Sequence, residues 1–269
     1  MKKKEVQATI HTSKKKWITF GIGVTLLVLG VILTVVTRSG ALAEEAATGA
    51  KVPFALGLIM ILMGIAIPIV GAIPEKRTTD VRTLSMAALF AALCYIGFTY
   101  CKIDIPVGME KTAFHLGNVF CVLAALFLGG LWGGLSGAVG MTIADLTTAY
   151  VTSAPKTFVL KLGIGLITGL IAHKIFHISR EGQRKVPLPV ATVLSCAGGM
   201  LFNVVADPVV GYFYKMYVLG VPQNAATIWA KMGAVTTAVN AVVAVIVATV
   251  LYLAIRPALK RSKLLPRVK

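Results

Sequence analysis

Apolar runs about 20 residues long recur along this chain, separated by short polar segments, and they predict a series of membrane-spanning helices. Trp17–Thr37 and Phe54–Ile73 are the first two spans, joined by a loop over Arg38–Lys51 that carries Glu44 and Glu45. Thr83–Cys101 is the third. Lys102–Thr112 reads as a polar loop, too rigid and mixed for a simple linker. Spans four to six are His115–Gly129, Leu131–Val151 and Thr157–Ile175, followed by a basic loop at His177–Pro187. Leu188–Asp207 is the seventh, with a break or kink expected at Asp207 because Pro208 follows it. An interfacial aromatic cluster comes next, Tyr212, Tyr214 and Tyr217. Trp229–Ile255 is the eighth span.

Polar residues interrupt these runs sparingly. His115 and Asn118 lie on one face of span four by i, i+3 spacing. Asp145 sits about 10 Å, and Lys161 about 6 Å, below the outer ends of their spans at 1.5 Å per residue. Asn203 and Asp207 share a face at i, i+4, and Asn240 is the deepest. The inner halves of spans four to eight contain no Asp, Glu, Asn or Gln. The expectation is an outward-facing pocket with an apolar floor, not a continuous ion pathway. Ionisable groups in a span are expensive and mark function by default. Each also has a structural role open to it. Lys161 could snorkel to the headgroups, Asp145 could pair with Lys161, and His115 could be a plain interfacial residue. Asn118 and Asn203 could be interhelical glue, and Asp207 a turn residue.

Composition agrees with the membrane class. The 269 residues are 57% hydrophobic and 14% charged, with a mean hydropathy of +0.84. A net charge of +17 in a soluble chain would suggest nucleic acid, but here the position of the charge matters more. With eight spans, nineteen Lys and Arg fall on the side of the two ends and eight on the other. Both termini are therefore expected in the cytoplasm, with a basic tail at 1–16, a two-helix extension at 17–79, a core at 80–257 and a second basic tail at 258–269. No cleavable signal peptide is expected, because the first apolar run is long and lacks a small-x-small site. The four cysteines lie in or beside spans without CxxC or His spacing and read as apolar packers, not as disulfides or metal ligands.

Small residues form stripes. Gly129/Gly133/Gly137 and Gly165/Gly169 permit close helix contact, most simply inside the chain. Ala87, Ala88, Ala91 and Ala92 form two interleaved AxxxA pairs on span three, suited to a partner helix inside or outside the chain. No G-x-x-x-x-G-K-[ST], HExxH or GxSxG occurs, so neither P-loop ATP binding nor those catalytic devices are expected. No cofactor is expected either.

The ordered set HLGN at 115–118, the glycine-rich turn, Ala144–Asp145 and Ala154-Pro155-Lys156 up to Lys161 resembles the substrate-binding S component of energy-coupling-factor (ECF) vitamin transporters, riboflavin type. The likeness covers about residues 80–257. It implies an all-α bacterial plasma-membrane protein with a six-helix core, to which spans one and two are extra. It also implies a subunit that captures a vitamin or vitamin precursor, docks on a T component carrying two ATPases, topples and releases its substrate inside. The few hydrogen-bonding groups of the pocket suit an aromatic, uncharged or weakly charged vitamin of flavin, pyridoxine or pyrimidine type. The AxxxA stripe would contact the T component, and 102–112 would be the lid. His115, Asn118, Asp145, Lys161, Asn203, Asp207 and Asn240 would then face the substrate. A self-sufficient transporter, proton-coupled through Asp145, and a membrane enzyme or scaffold are the competing readings.

Overall fold

A computed structural model describes residues 81–107, 110–180, 182, 184, 186–262 and 264–265, with most of 21–33. The chain divides into two compact units, Met1–Thr78 and Thr79–Lys269. In the first, the described residues of 21–33 are helical. The second expected span, over 54–73, lies outside the described residues, as does the basic tail over 1–16.

The second unit is a helical bundle with one hairpin. Its order is α1 (Val81–Thr99), β1 (Lys102–Val107), β2 (Glu110–His115), α2 (Gly117–Leu128), α3 (Gly130–Thr147), α4 (Ala154–Leu170), α5 (Leu188–Phe213) and α6 (Gln223–Arg261). Single π-turns extend α4 over Ile171–Ile175 and α5 over Tyr214–Val218. Helix α2 is apolar all round and buried at every position except Phe120, as such a helix must be. It occupies the middle, touching α1, α3, α4 and α6, while α1, α3, α4, α5 and α6 pack in that order around it. Among the described residues four helical segments are long and apolar enough to cross a bilayer: Val81–Thr99, Val151–Ile175, Leu188–Val218 and Gln223–Arg261.

The most extensive helix pair is α3 with α4, and glycine makes it possible. A Cβ on Gly165 would overlap the backbone of Gly134, and one on Gly169 would overlap Gly130. Neither overlap can be relieved by rotating a side chain. Gly165→Ala is therefore expected to cost about 1–3 kcal/mol, the usual range for overpacking. Denaturant titration in micelles checks this; an unchanged midpoint would show that the helices can separate freely.

Three expectations need correction. Lys102–Thr112 is not a loop, because Lys102–Val107 pairs antiparallel with Glu110–His115 from Lys102↔His115 to Val107↔Glu110. The period-two alternation of Lys102 and Asp104 with Ile103 and Ile105 was a signal for it. His115 consequently belongs to a strand and shares no helical face with Asn118; Leu116 turns the chain, its N–H facing the Gly97 and Cys101 carbonyls at 3.1 and 3.2 Å. Finally, α5 does not break at Asp207 but stays helical through Pro208 to Phe213. A proline removes only one helical bond, and Asp207 beside it is tied to neighbouring helices on both sides, as described below. Helix α6 likewise runs past Ile255, with the buried Arg256 donating from Nη2 to the Ile178 carbonyl at 3.2 Å.

The alanine stripe splits. Ala87 is buried in this chain's own core, and the Ala91 carbonyl lies directly under Gly140 of α3. Ala88 and Ala92 are exposed. Ala87 therefore faces this chain's own core, and the exposed face of the helix presents Ala88 and Ala92.

Candidate functional site

Beneath the β1–β2 hairpin lies a cavity of about 140 Å³, some ten times the roughly 10–15 Å³ that one water needs. All seven polar residues singled out in the sequence line it. His115 comes from β2, Asn118 from the start of α2, Asp145 from the end of α3, and Lys161 from α4. Asn203 and Asp207 come from α5 and Asn240 from α6. Asn118, Asp145, Lys161, Asn203 and Asn240 are buried.

The side chains form three linked groups. Lys161 Nζ donates to Asn118 Oδ1 at 2.9 Å, joining α4 to the central helix. Asp207 takes Lys156 Nζ on Oδ1 and the Thr237 hydroxyl on Oδ2, each at 2.8 Å, so α4, α5 and α6 meet on one carboxylate. Asn240 pairs with a strand edge: its Oδ1 accepts from the His115 backbone N–H and its Nδ2 donates to the Ala113 carbonyl, both at 3.0 Å. Trp229, three turns earlier on α6, donates from Nε1 to the Val107 carbonyl at 2.9 Å. The hairpin is therefore fastened to α6 at both ends. Its outer side is held by Tyr150, whose hydroxyl donates to Asp104 at 2.9 Å.

Three buried polar atoms on the wall have no hydrogen-bond partner in the protein: His115 Nδ1, Asp145 Oδ2 and Asn203 Oδ1. Such groups are rare and each costs on the order of 1–3 kcal/mol. His115 lies outside the helical spans, and burial, helped by the Lys161 charge, pushes its imidazole down to about 3, so the ring is neutral. The Asp145–Lys161 ion pair, one of the roles the sequence left open, is not formed. Lys161 turns to Asn118, and Thr157 lines the same cavity as Asp145. Among the described residues no group of three His, Cys, Asp or Glu could hold a metal ion, and all four cysteines are free.

Sequence reasoning missed several lining residues, including Lys156, Thr157, Lys215, Trp229 and Thr237. A signal existed on α6. Trp229, Gly233, Thr236 and Asn240 recur at spacings of four, three and four, a polar or small stripe on an otherwise greasy helix. Thr157 likewise stands one turn before Lys161.

A polar pocket beneath a hairpin, walled by several apolar helices, defines a polytopic membrane protein with room for a small molecule. The chain belongs to the family of ECF-type riboflavin transporter, S component, which it matches over residues 78–257, about two thirds of its length. It is a multi-pass protein of the cell membrane. No curated protein and no solved structure matches the chain.

Proposed function

We propose that this chain is the substrate-capture subunit of an ATP-driven importer for a vitamin or vitamin precursor of flavin, pyridoxine or pyrimidine type. The observation that carries the reading is the convergence of polar side chains from the hairpin and five helices on one cavity, several with unmet hydrogen-bonding capacity. A ligand's donors and acceptors would meet those groups, and Phe98, Tyr150 and Trp229 in the lining suit a planar ring. In this reading the cavity faces outward, the hairpin is its lid, and eight spans leave both ends in the cytoplasm, as the Lys and Arg distribution supports. Energy comes from a T component and two ATPases, and the exposed Ala88/Ala92 pair is the smooth surface offered to the T component.

The test uses the purified full chain. It should bind one vitamin per chain by itself, and vesicles containing it alone should not accumulate substrate. Asn203→Leu removes an acceptor from the wall and is expected to weaken binding about tenfold. Uphill accumulation by the chain alone, driven by a proton gradient and lost in Asp145→Asn, would favour the self-sufficient transporter instead.

A further inference from the structure

A second hollow lies on the flank of the bundle, in the seam between α5 and α6. It is a groove of about 350 Å³ and shares no lining residue with the cavity, so it does not depend on what the cavity binds. Pro208, Val209 and Phe213 form one wall, and Ala230 and Ala234 the other, with Lys231 beside them. The two alanines leave the space that larger side chains would fill. The lining surface is apolar, and the Thr227 hydroxyl at the edge turns back to the Gln223 carbonyl at 2.8 Å. An apolar hollow offers water no hydrogen bonds. Both helices are long and apolar enough to cross a bilayer, and Val205, Val210, Ile228, Met232 and Val235 around the groove are exposed. The groove therefore opens towards lipid.

Its depth follows from its neighbours. Trp229 ties this stretch of α6 to the hairpin. Tyr217, stacked on Phe213 with ring centroids 6.1 Å apart, is 74% exposed, as suits an aromatic residue at the membrane surface. From that level the groove descends about 10 Å, the rise from Thr227 to Ala234 at 1.5 Å per residue. A helical side chain leans towards the N-terminus of its helix, which for α6 is the hairpin side. Lys231 thus lines the groove with its stem and lifts its ammonium to the headgroups. Among the described residues no carboxylate pairs with it. Shape and charge together select the occupant. A helix is about 10 Å across, too wide to enter a seam whose two walls pack on each other, whereas one hydrocarbon chain is not. We infer that the groove holds an acyl chain of a phospholipid from the hairpin-side leaflet, with the phosphate of that lipid paired to Lys231.

Native mass spectrometry of the full chain, titrated in micelles with dioleoylphosphatidylglycerol and with dioleoylglycerol, tests the phosphate and the chain separately. The phospholipid should show one tightly held copy and bind about tenfold tighter than dioleoylglycerol, the scale of a charge-assisted bond. Lys231→Met should erase that advantage and Lys231→Arg keep it. Ala234→Phe fills the groove and should remove the tight copy. Val242→Phe, at an exposed position about two turns further along α6, should retain it. Thermal unfolding shows whether Ala234→Phe has kept its fold; if it has not, the Lys231 variants, altered at an exposed side chain, still decide the matter. Equal affinity for the two lipids, or a tight copy that survives in folded Ala234→Phe, overturns the inference. So does a dimer of the chain that Ala234→Phe dissolves, since a second copy would then be what covers the groove.

Discussion

Replacing Lys156 by methionine is expected to lower the unfolding free energy by about 3–5 kcal/mol, the range for stranding one partner of a buried ion pair. The pair is short, at 2.8 Å, and its side chains are only 14% and 19% exposed. It also joins helices that are far apart in sequence, so no local rearrangement can replace it. In the Lys156→Met variant the Asp207 carboxylate keeps the Thr237 hydroxyl but loses its cation. The Lys156→Met/Asp207→Asn double variant removes the charge altogether while leaving an oxygen for Thr237, and should recover most of the loss. Denaturant unfolding in mixed micelles, followed by the intrinsic tryptophans, gives both numbers. Equal losses in the single and double variants would show that the two residues are not coupled and that this junction of α4, α5 and α6 has another basis.

Asn240→Leu should release the hairpin and speed substrate dissociation about a hundredfold, since two backbone groups lose their partners at roughly 1–3 kcal/mol each. The leucine is nearly isosteric, so the packing of α6 against α2 and α5 survives and the loss falls on the lid. Strand β2 would keep its ladder to β1 but lose the asparagine that pairs with its other edge. The remaining tie to α6, from Trp229 to Val107, lies at the opposite end of the hairpin. Stopped-flow dissociation of a bound vitamin, with hydrogen exchange at His115 as a control, measures the effect. Unchanged dissociation with faster exchange would mean that the hairpin opens without gating the cavity.

These two variants also show where sequence reading stopped. Apolar runs and the residues that interrupt them are local properties, so six helices of the second unit could be recognised in outline without a structure. Because each buried polar group is costly in hydrocarbon, Asn118, Asp145, Lys161, Asn203, Asp207 and Asn240 stood out together, by their shared depth. Their partners did not. Nothing in the chain says that Lys161 turns to Asn118, 43 residues away, in preference to Asp145. Nor does it say that Lys156 takes Asp207. Such choices depend on which helix faces come together, and that is set by the glycine contacts between α3 and α4 and by α2 filling the centre.

The hairpin is the clearest case of tertiary control. Two strands of six residues are marginal alone, and their alternation is too brief to outweigh the apolar run that follows, which is why His115 looked helical. Docking on α6 supplies the missing edge. By itself the amino-acid order determined that this is a multi-pass membrane protein with a small set of expensive polar groups on several helices, because hydrophobic length and desolvation cost are written residue by residue. Only the folded arrangement decided that these groups line one cavity, which of them satisfy each other and which stay unbonded, because hydrogen bonds and ion pairs depend on ångström distances between segments far apart in the chain.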